Sequence, residues 1–194
     1  MSNKLVENFI FNDDIQDILS QINDNVMDFN ILEITGMGTQ EIKHSNMLGW
    51  LFDDSEHNLE YQILDDFLKK VIDMNDNKQL ESLKHYLFLP SNINREITVF
   101  REKDNIDLLI VDESNKIVIT IENKLYAKES ETQLSEYKEK IDKSYNDNYE
   151  KYYIFLTINL EKPTKDDYWL IASHNMVAEV ISSILKNKEI SDKT

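Results

Sequence analysis

The stretch from Ile106 to Lys124, IDLLIVDESNKIVITIENK, constrains the fold more than any other part of the chain. Two runs rich in aliphatic and β-branched residues flank the polar quartet Glu113-Ser114-Asn115-Lys116, and runs so bounded pair as the strands of a hairpin. A turn centred on Ser114-Asn115 sets Leu109 across from Thr120 and Asp107 across from Glu122. Because side chains alternate along a strand, Asp107, Leu109 and Val111 share a face with Val118, Thr120, Glu122 and Lys124. Ile106, Leu108, Ile110, Ile117, Ile119 and Ile121 make up the opposite, aliphatic face. A slip of one residue would undo both arrangements.

The neighbouring segments place this hairpin in an α/β fold. Asn94 to Phe100 reads as a preceding strand, and Tyr152 to Ile158 (YYIFLTI) as a buried one. Ser130 to about Ser144 and Met176 to Leu185 carry helical periodicity. Upstream, Ile15, Ile18, Leu19, Ile22, Val26 and Phe29 recur at helical spacing within Leu5 to Ile34, and Thr35-Gly36-Met37-Gly38 ends that helix. Thr39 is placed to cap a second helix to Phe52, and Asn58 a third, whose stripe is Leu59, Ile63, Leu64, Phe67, Leu68, Val71 and Ile72. Helices followed by β-β-β-α-β imply a mixed central sheet flanked by helices, with an N-terminal helical addition. With three Gly and two Pro in 194 residues, the chain reads as one domain, 1–194: an extension over 1–38 and a core over 39–185.

Composition narrows the chemistry. There is no cysteine, which excludes disulfides, thiolate zinc sites and cysteine nucleophiles. No segment approaches the roughly 20 apolar residues of a membrane span, and no signal-peptide stretch opens the chain, so a soluble, cytoplasmic protein is expected. The net charge of −16 argues against sequence-independent coating of nucleic acid. It does not exclude a phosphate in a cleft, because beyond a Debye length of about 8 Å distant charge is largely screened. Local charge, including any bound metal, decides there.

Asp107 and Glu122, brought face to face, repel unless a cation lies between them. A hard divalent ion such as Mg²⁺ uses one or two carboxylates, with water and substrate phosphate completing its shell. Lys124, two residues beyond Glu122, points to the same place, where it can position or help deprotonate a water. The same trio is also what a surface ion network looks like, at about 0–1 kcal/mol per pair. Pattern alone leaves both readings open.

Three segments in order, Asn105-Ile106-Asp107-Leu108-Leu109-Ile110, Ile121-Glu122-Asn123-Lys124 and Gln133-Leu134-Ser135-Glu136-Tyr137, resemble the PD-(D/E)XK nuclease superfamily. They match its D…ExK core and the QxxxY helix motif of its exonuclease-like branch. Upstream, Glu41-Ile42-Lys43-His44-Ser45, with Leu48, Leu51 and His57, is similar to a bacterial subgroup pattern. The proline of the superfamily's name is missing from the first motif. The resemblance implies a Mg²⁺- or Mn²⁺-dependent phosphodiesterase acting on nucleic acid, DNA above all. Asp107, Glu122, the carbonyl of Asn123 and, on the first core helix, Glu41 would hold the metal. Lys124 would orient the water, and Gln133 and Tyr137 would hold the site or the phosphate chain. Lys128 and Lys138 are candidates for phosphate contact or ordinary surface lysines.

Other residues invite weaker readings. His44, His57, His85 and His174 lack metal-ligand spacing, and no HExxH, GxxxxGK[ST] or GxSxG occurs. His44 reads as a hydrogen-bonded histidine near the site and His57 as a loop anchor. Arg95 and Glu96 either reach the cleft or keep a strand edge soluble. Trp50, Phe52 and Trp169 read as core. The competing function is non-enzymatic: an acidic interaction protein on the same scaffold that binds a basic partner or mimics DNA. A protein partner or a homo-oligomer is compatible with either function.

Overall fold

The computed structural model describes residues 40–57, 59, 61–75, 80–88, 94–125, 132–164 and 168–191. The helix over Leu5 to Ile34, the break after it, the Thr39 and Asn58 caps, Lys128 and the division at residue 38 lie outside them. In chain order the elements are α1 (Glu41–Phe52), α2 (Gln62–Met74), α3 (Glu81–Phe88), β1 (Ile97–Lys103), β2 (Ile106–Asp112), β3 (Ile117–Asn123), α4 (Gln133–Ser144), β4 (Glu150–Thr157), β5 (Leu170–Ser173) and α5 (His174–Ser191). A short 3-10 turn, Asp54–Glu56, follows α1.

The five strands form one sheet in the order β1-β2-β3-β4-β5. β1, β2 and β3 are an antiparallel meander. β4 returns parallel to β3 after α4, and β5 lies parallel to β4. The hairpin register is the one the turn dictates: Leu108 pairs with Ile121, Leu109 with Thr120 and Asp112 with Ile117. The preceding hairpin is tighter. Lys103 pairs with Ile106, and the two residues between, Asp104 and Asn105, have φ of 56° and 64°, which a two-residue type I′ turn demands and Asn or Asp tolerates best.

Each face of the sheet has its own core. One holds Leu108, Ile110, Ile117, Ile119 and Ile121 against α1, α2, α3 and α5, with Phe67, Leu68, Val71 and Leu83 fully buried. α2 shows why: Ile63, Leu64, Phe67, Leu68, Val71 and Ile72 all lie on one stripe of the helix. α4 packs the other face, where Leu134, Tyr137 and Ile141 meet Leu109, Val111, Val118, Tyr153, Phe155 and Trp169. Covered on both sides, β3 is buried from end to end, as the crossover to a parallel neighbour requires. Gly49 lets Arg101 of β1 cross α1 closely: a Cβ there would come within 2.4 Å of the guanidinium Nε.

Several expectations need correction. β1 begins at Ile97, and Asn94 to Glu96 are not strand. α3 and β5 escape periodicity because eight and four residues are too few to show it. β5 is held at its edge by Asn75, whose amide accepts from Ile171 N–H (2.8 Å) and donates to its carbonyl (2.8 Å), imitating a strand neighbour. The N-cap positions of α1 and α2 are Gln40 and Tyr61, neither with a side-chain cap bond. Ile106 packs with Leu109 and Val111 rather than on the aliphatic face, because the ladder is irregular beside the tight turn, where Glu102 has φ 54° and no partner across the strand. Trp50 is exposed, its ring edge-on to His57, whereas Phe52 and Trp169 are core.

At the far end of the hairpin, Asp112 is buried and well supplied with donors. Its carboxylate accepts from Tyr86 Oη (2.9 Å), Glu96 N (3.3 Å), Asn115 N (3.1 Å) and Asn115 Nδ2 (2.9 Å). Arg95 stands beside it, forked onto Asp65 (2.7 and 2.9 Å) and 4.4 Å from the centre of the Tyr86 ring. Arg95 and Glu96 therefore serve this end of the sheet and do not reach the opposite one.

Candidate active site

Asp107 is the second residue of β2 and Glu122 the last but one of β3, so the register sets them at the same end of the hairpin. The Asn123 N–H donates to Asp107 Oδ2 at 2.7 Å. Glu122 is fully buried. Its Oε1 receives Lys124 Nζ at 2.7 Å and Gln133 Nε2 at 2.8 Å, while Oε2 is buried with no partner. Lys124 follows β3 directly and is steered inward because its N–H bonds Leu156 O at 2.8 Å, extending the ladder to β4 by one step.

Two helices close on this strand end. α1 begins with Glu41, where a carboxylate suits the positive helix terminus. Its Oε1 accepts from Leu125 N at 3.1 Å and its Oε2 lies 3.8 Å from Lys124 Nζ. Ser45, one turn on and fully buried, accepts from Asn123 Nδ2 at 3.0 Å and donates to the Glu41 carbonyl at 3.0 Å. From the other face α4 presents Gln133, whose Nε2 also donates to Tyr137 Oη at 2.7 Å, and Tyr137 in turn donates to the Asn105 carbonyl at 2.5 Å. Lys140 Nζ holds the adjacent Asp104 carbonyl at 2.9 Å. The QxxxY pair thus ties Glu122 to the tip of the β1–β2 turn.

The electrostatics follow from burial. Loss of water pushes the Asp107 carboxyl above its ordinary range, and the Asn123 N–H and Lys124 offset only part of this. Glu122 is pushed up further, by burial first and by the Asp107 charge second, against the pull of Lys124. Burial disfavours the Lys124 ammonium, but Glu122, Glu41 and Asp107 outweigh it and its pKa is raised. So the two carboxylates carry more negative potential than one lysine relieves.

That imbalance, with the unpartnered Glu122 Oε2, fits a divalent cation. Among the described residues no group of three or more His, Cys, Asp or Glu side chains is placed to hold a metal ion. An ion that keeps several waters needs only one or two carboxylates, and Asp107 and Glu122 supply them.

Glu41, Asp107, Glu122, Asn123, Lys124, Gln133 and Tyr137 are therefore gathered at one strand end. Others are not. Lys138 is paired with Asp142 at 2.5 Å and lies over the rings of Tyr153 and Tyr168. His57 anchors a loop, bonding Leu51 O at 2.9 Å and Leu59 N at 3.3 Å. His44 is not the hydrogen-bonded residue expected: its Nε2 is buried without a partner, edge-on to His174. Sequence reasoning missed the tether from Ser45 to the Asn123 side chain. The His44-Ser45 pattern held the signal, but its partner lies 78 residues away.

This arrangement of D…ExK strand end, helix glutamate and QxxxY helix accords with a family model that matches the chain, the PD-(D/E)XK nuclease superfamily, over residues 29–189. The chain belongs to that superfamily. No curated protein and no solved structure matches it. The superfamily's β-β-β-α-β core accounts for β1 to β4, with β5 added beside β4. No helix among the described residues is long and apolar enough to cross a membrane.

Proposed function

We propose that this protein is a Mg²⁺- or Mn²⁺-dependent nuclease that hydrolyses phosphodiester bonds of DNA. The observation that carries the reading is Glu122: a fully buried carboxylate, one oxygen held by Lys124 and Gln133, the other without a partner, next to a second buried carboxylate. An unmet buried acceptor costs about 1–3 kcal/mol, or more when charged, which favours a bound cation over a purely structural ion pair.

In this reading Asp107 and Glu122 hold the ion, with Glu41 and the Asn123 carbonyl completing its protein ligands. The ion supplies Lewis-acid chemistry, polarising a phosphoryl oxygen and making a bound water more acidic. Lys124, kept protonated by its three carboxylates, orients the attacking water and meets the charge that develops on phosphorus. Gln133 fixes the Glu122 carboxylate, and Tyr137 fixes Gln133.

Cleavage of a panel of single- and double-stranded DNA and RNA with Mn²⁺ tests this. Lys124→Ala is expected to cut at least about 10²-fold more slowly than wild type while melting cooperatively. Equal rates for the two proteins would sink the assignment. The interaction-protein reading has its own support in the 2.7 Å Lys124–Glu122 ion pair, which gives Glu122 one counter-ion without a metal. It predicts no Mn²⁺ binding and no cleavage by wild type.

A further inference from the structure

With a net charge of −16, the chain must hold a DNA strand through cations close to the site, because distant charge is screened beyond about 8 Å. Few are uncommitted. Most described lysines and both arginines are tied to carboxylates. Lys103 and Lys140 have no carboxylate partner among the described residues. Lys43, Lys162 and Lys186 have none either, but those three are exposed, whereas Lys103 and Lys140 are half-buried and held in place.

Lys103 Nζ lies 3.9 Å from the centre of the Phe100 ring. Lys140 Nζ lies 5.3 Å from the centre of the Tyr137 ring and donates to the Asp104 carbonyl at 2.9 Å. Phe100 and Tyr137 both pack with the core on the α4 face of the sheet, so the two ammonium groups are held on that face. A ring attracts an ammonium without cancelling its charge, and a carbonyl takes one of its three donors. Charge and donors therefore stay available to an anion, with no ion pair to break. Glu102 and Asp104 flank the turn and are exposed, which suits the lysines to holding a strand at contact range rather than drawing one from afar.

The same turn is braced against the candidate active site. Lys103 pairs with Ile106, the neighbour of Asp107. The Asn105 carbonyl accepts from Tyr137 Oη, which accepts from Gln133, and Gln133 donates to Glu122 Oε1. Lysines and carboxylates are thus set in one frame.

We propose that Lys103 and Lys140 hold the phosphate backbone of the DNA strand beside the bond to be cut. The inference rests on the nuclease reading above and adds the side of the site along which the strand runs, past the β1–β2 turn and α4. Lysine contacts to phosphate position a strand without reading its sequence.

Mn²⁺-dependent cleavage of labelled DNA oligonucleotides, single-stranded and duplex, at increasing salt tests this. Lys103→Met and Lys140→Met remove the charge and keep an apolar stem against the ring. Each is expected to raise KM at least about threefold on every sequence, to keep kcat within about twofold, and to reduce the slope of log(kcat/KM) against log[salt] by about 0.7–0.9. Lys103→Gln and Lys140→Gln give the same result if the Met variants fold poorly. Lys103→Arg and Lys140→Arg keep the charge and stay within about twofold of wild type. Lys84→Ala, which loses only a pairing with Glu81 on α3, changes neither KM nor slope. Unchanged KM and slope in either Met variant, or a loss that falls in kcat and is shared by the Arg variants, overturns the proposal while wild-type cleavage leaves the nuclease reading standing. No cleavage by wild type overturns the nuclease reading and this inference with it.

Discussion

The β2–β3 hairpin carries a buried acidic cluster at each end, and the two differ in kind. At the turn end Asp112 receives four donors spread over both its oxygens, and Arg95, Asp65 and Tyr86 close the network around it. At the open end Glu122 has one oxygen engaged twice and the other not at all, beside an Asp107 that burial has made a weaker acid. The same residue type in the same sheet is satisfied at one end and short of positive charge at the other. The first arrangement stabilises the fold; the second leaves a buried acceptor unsatisfied, which is what the proposed metal site would relieve.

Four measurements would break or sharpen this contrast. The largest effect is expected in cleavage: Glu122→Gln should lose at least about 10²-fold in Mn²⁺-dependent rate, and Asp112→Asn should lose little beyond what partial unfolding explains. Next comes stability in denaturant with the metal chelated. Asp112→Ala strands several buried donors and should cost about 3–5 kcal/mol, whereas Glu122→Gln removes an under-compensated charge and should be neutral or stabilising by about 1 kcal/mol. A larger loss for Glu122→Gln than for Asp112→Ala would reverse the comparison.

The third is a pH profile. Glu122 has its folded pKa raised from 4.5 to about 8, so the folded state binds the proton more tightly than the unfolded chain. Its contribution to stability is then fully present below about pH 4.5 and is lost as pH rises towards 8. Chelated wild type should lose stability across that window, Glu122→Gln should show less of the loss, and saturating Mn²⁺ should flatten it. A wild-type slope of opposite sign, traced to Glu122 by the variant, would refute the cause given. The smallest effect is Tyr137→Phe, which breaks the link from Gln133 to Asn105. About 1 kcal/mol of stability is expected to go, with a modest fall in rate; no change in either would mean that the link does not position Glu122.

Much of this was legible in advance where local rules govern. The turn at Ser114-Asn115 fixes a register that the structure keeps pair for pair from Leu108–Ile121 to Asp112–Ile117. The α2 stripe is likewise buried residue by residue. Legibility failed where a short element depends on distant neighbours. β5 is only four residues long and is completed by the Asn75 amide, and α3 is eight residues packed under the sheet. Ile106 changed faces because the tight Asp104-Asn105 turn overrode simple alternation.

By itself, then, the sequence determined the hairpin, its register and the meeting of Asp107, Glu122 and Lys124, because strand alternation and turn position are set by residues adjacent in the chain. Only the tertiary structure decided how those groups are balanced. The Ser45 tether, the Gln133–Tyr137–Asn105 relay, the Glu41 contact and the unpartnered Glu122 oxygen all join segments far apart in sequence. Burial and partner supply depend on three-dimensional packing, and they distinguish the satisfied carboxylate of Asp112 from the unsatisfied one of Glu122.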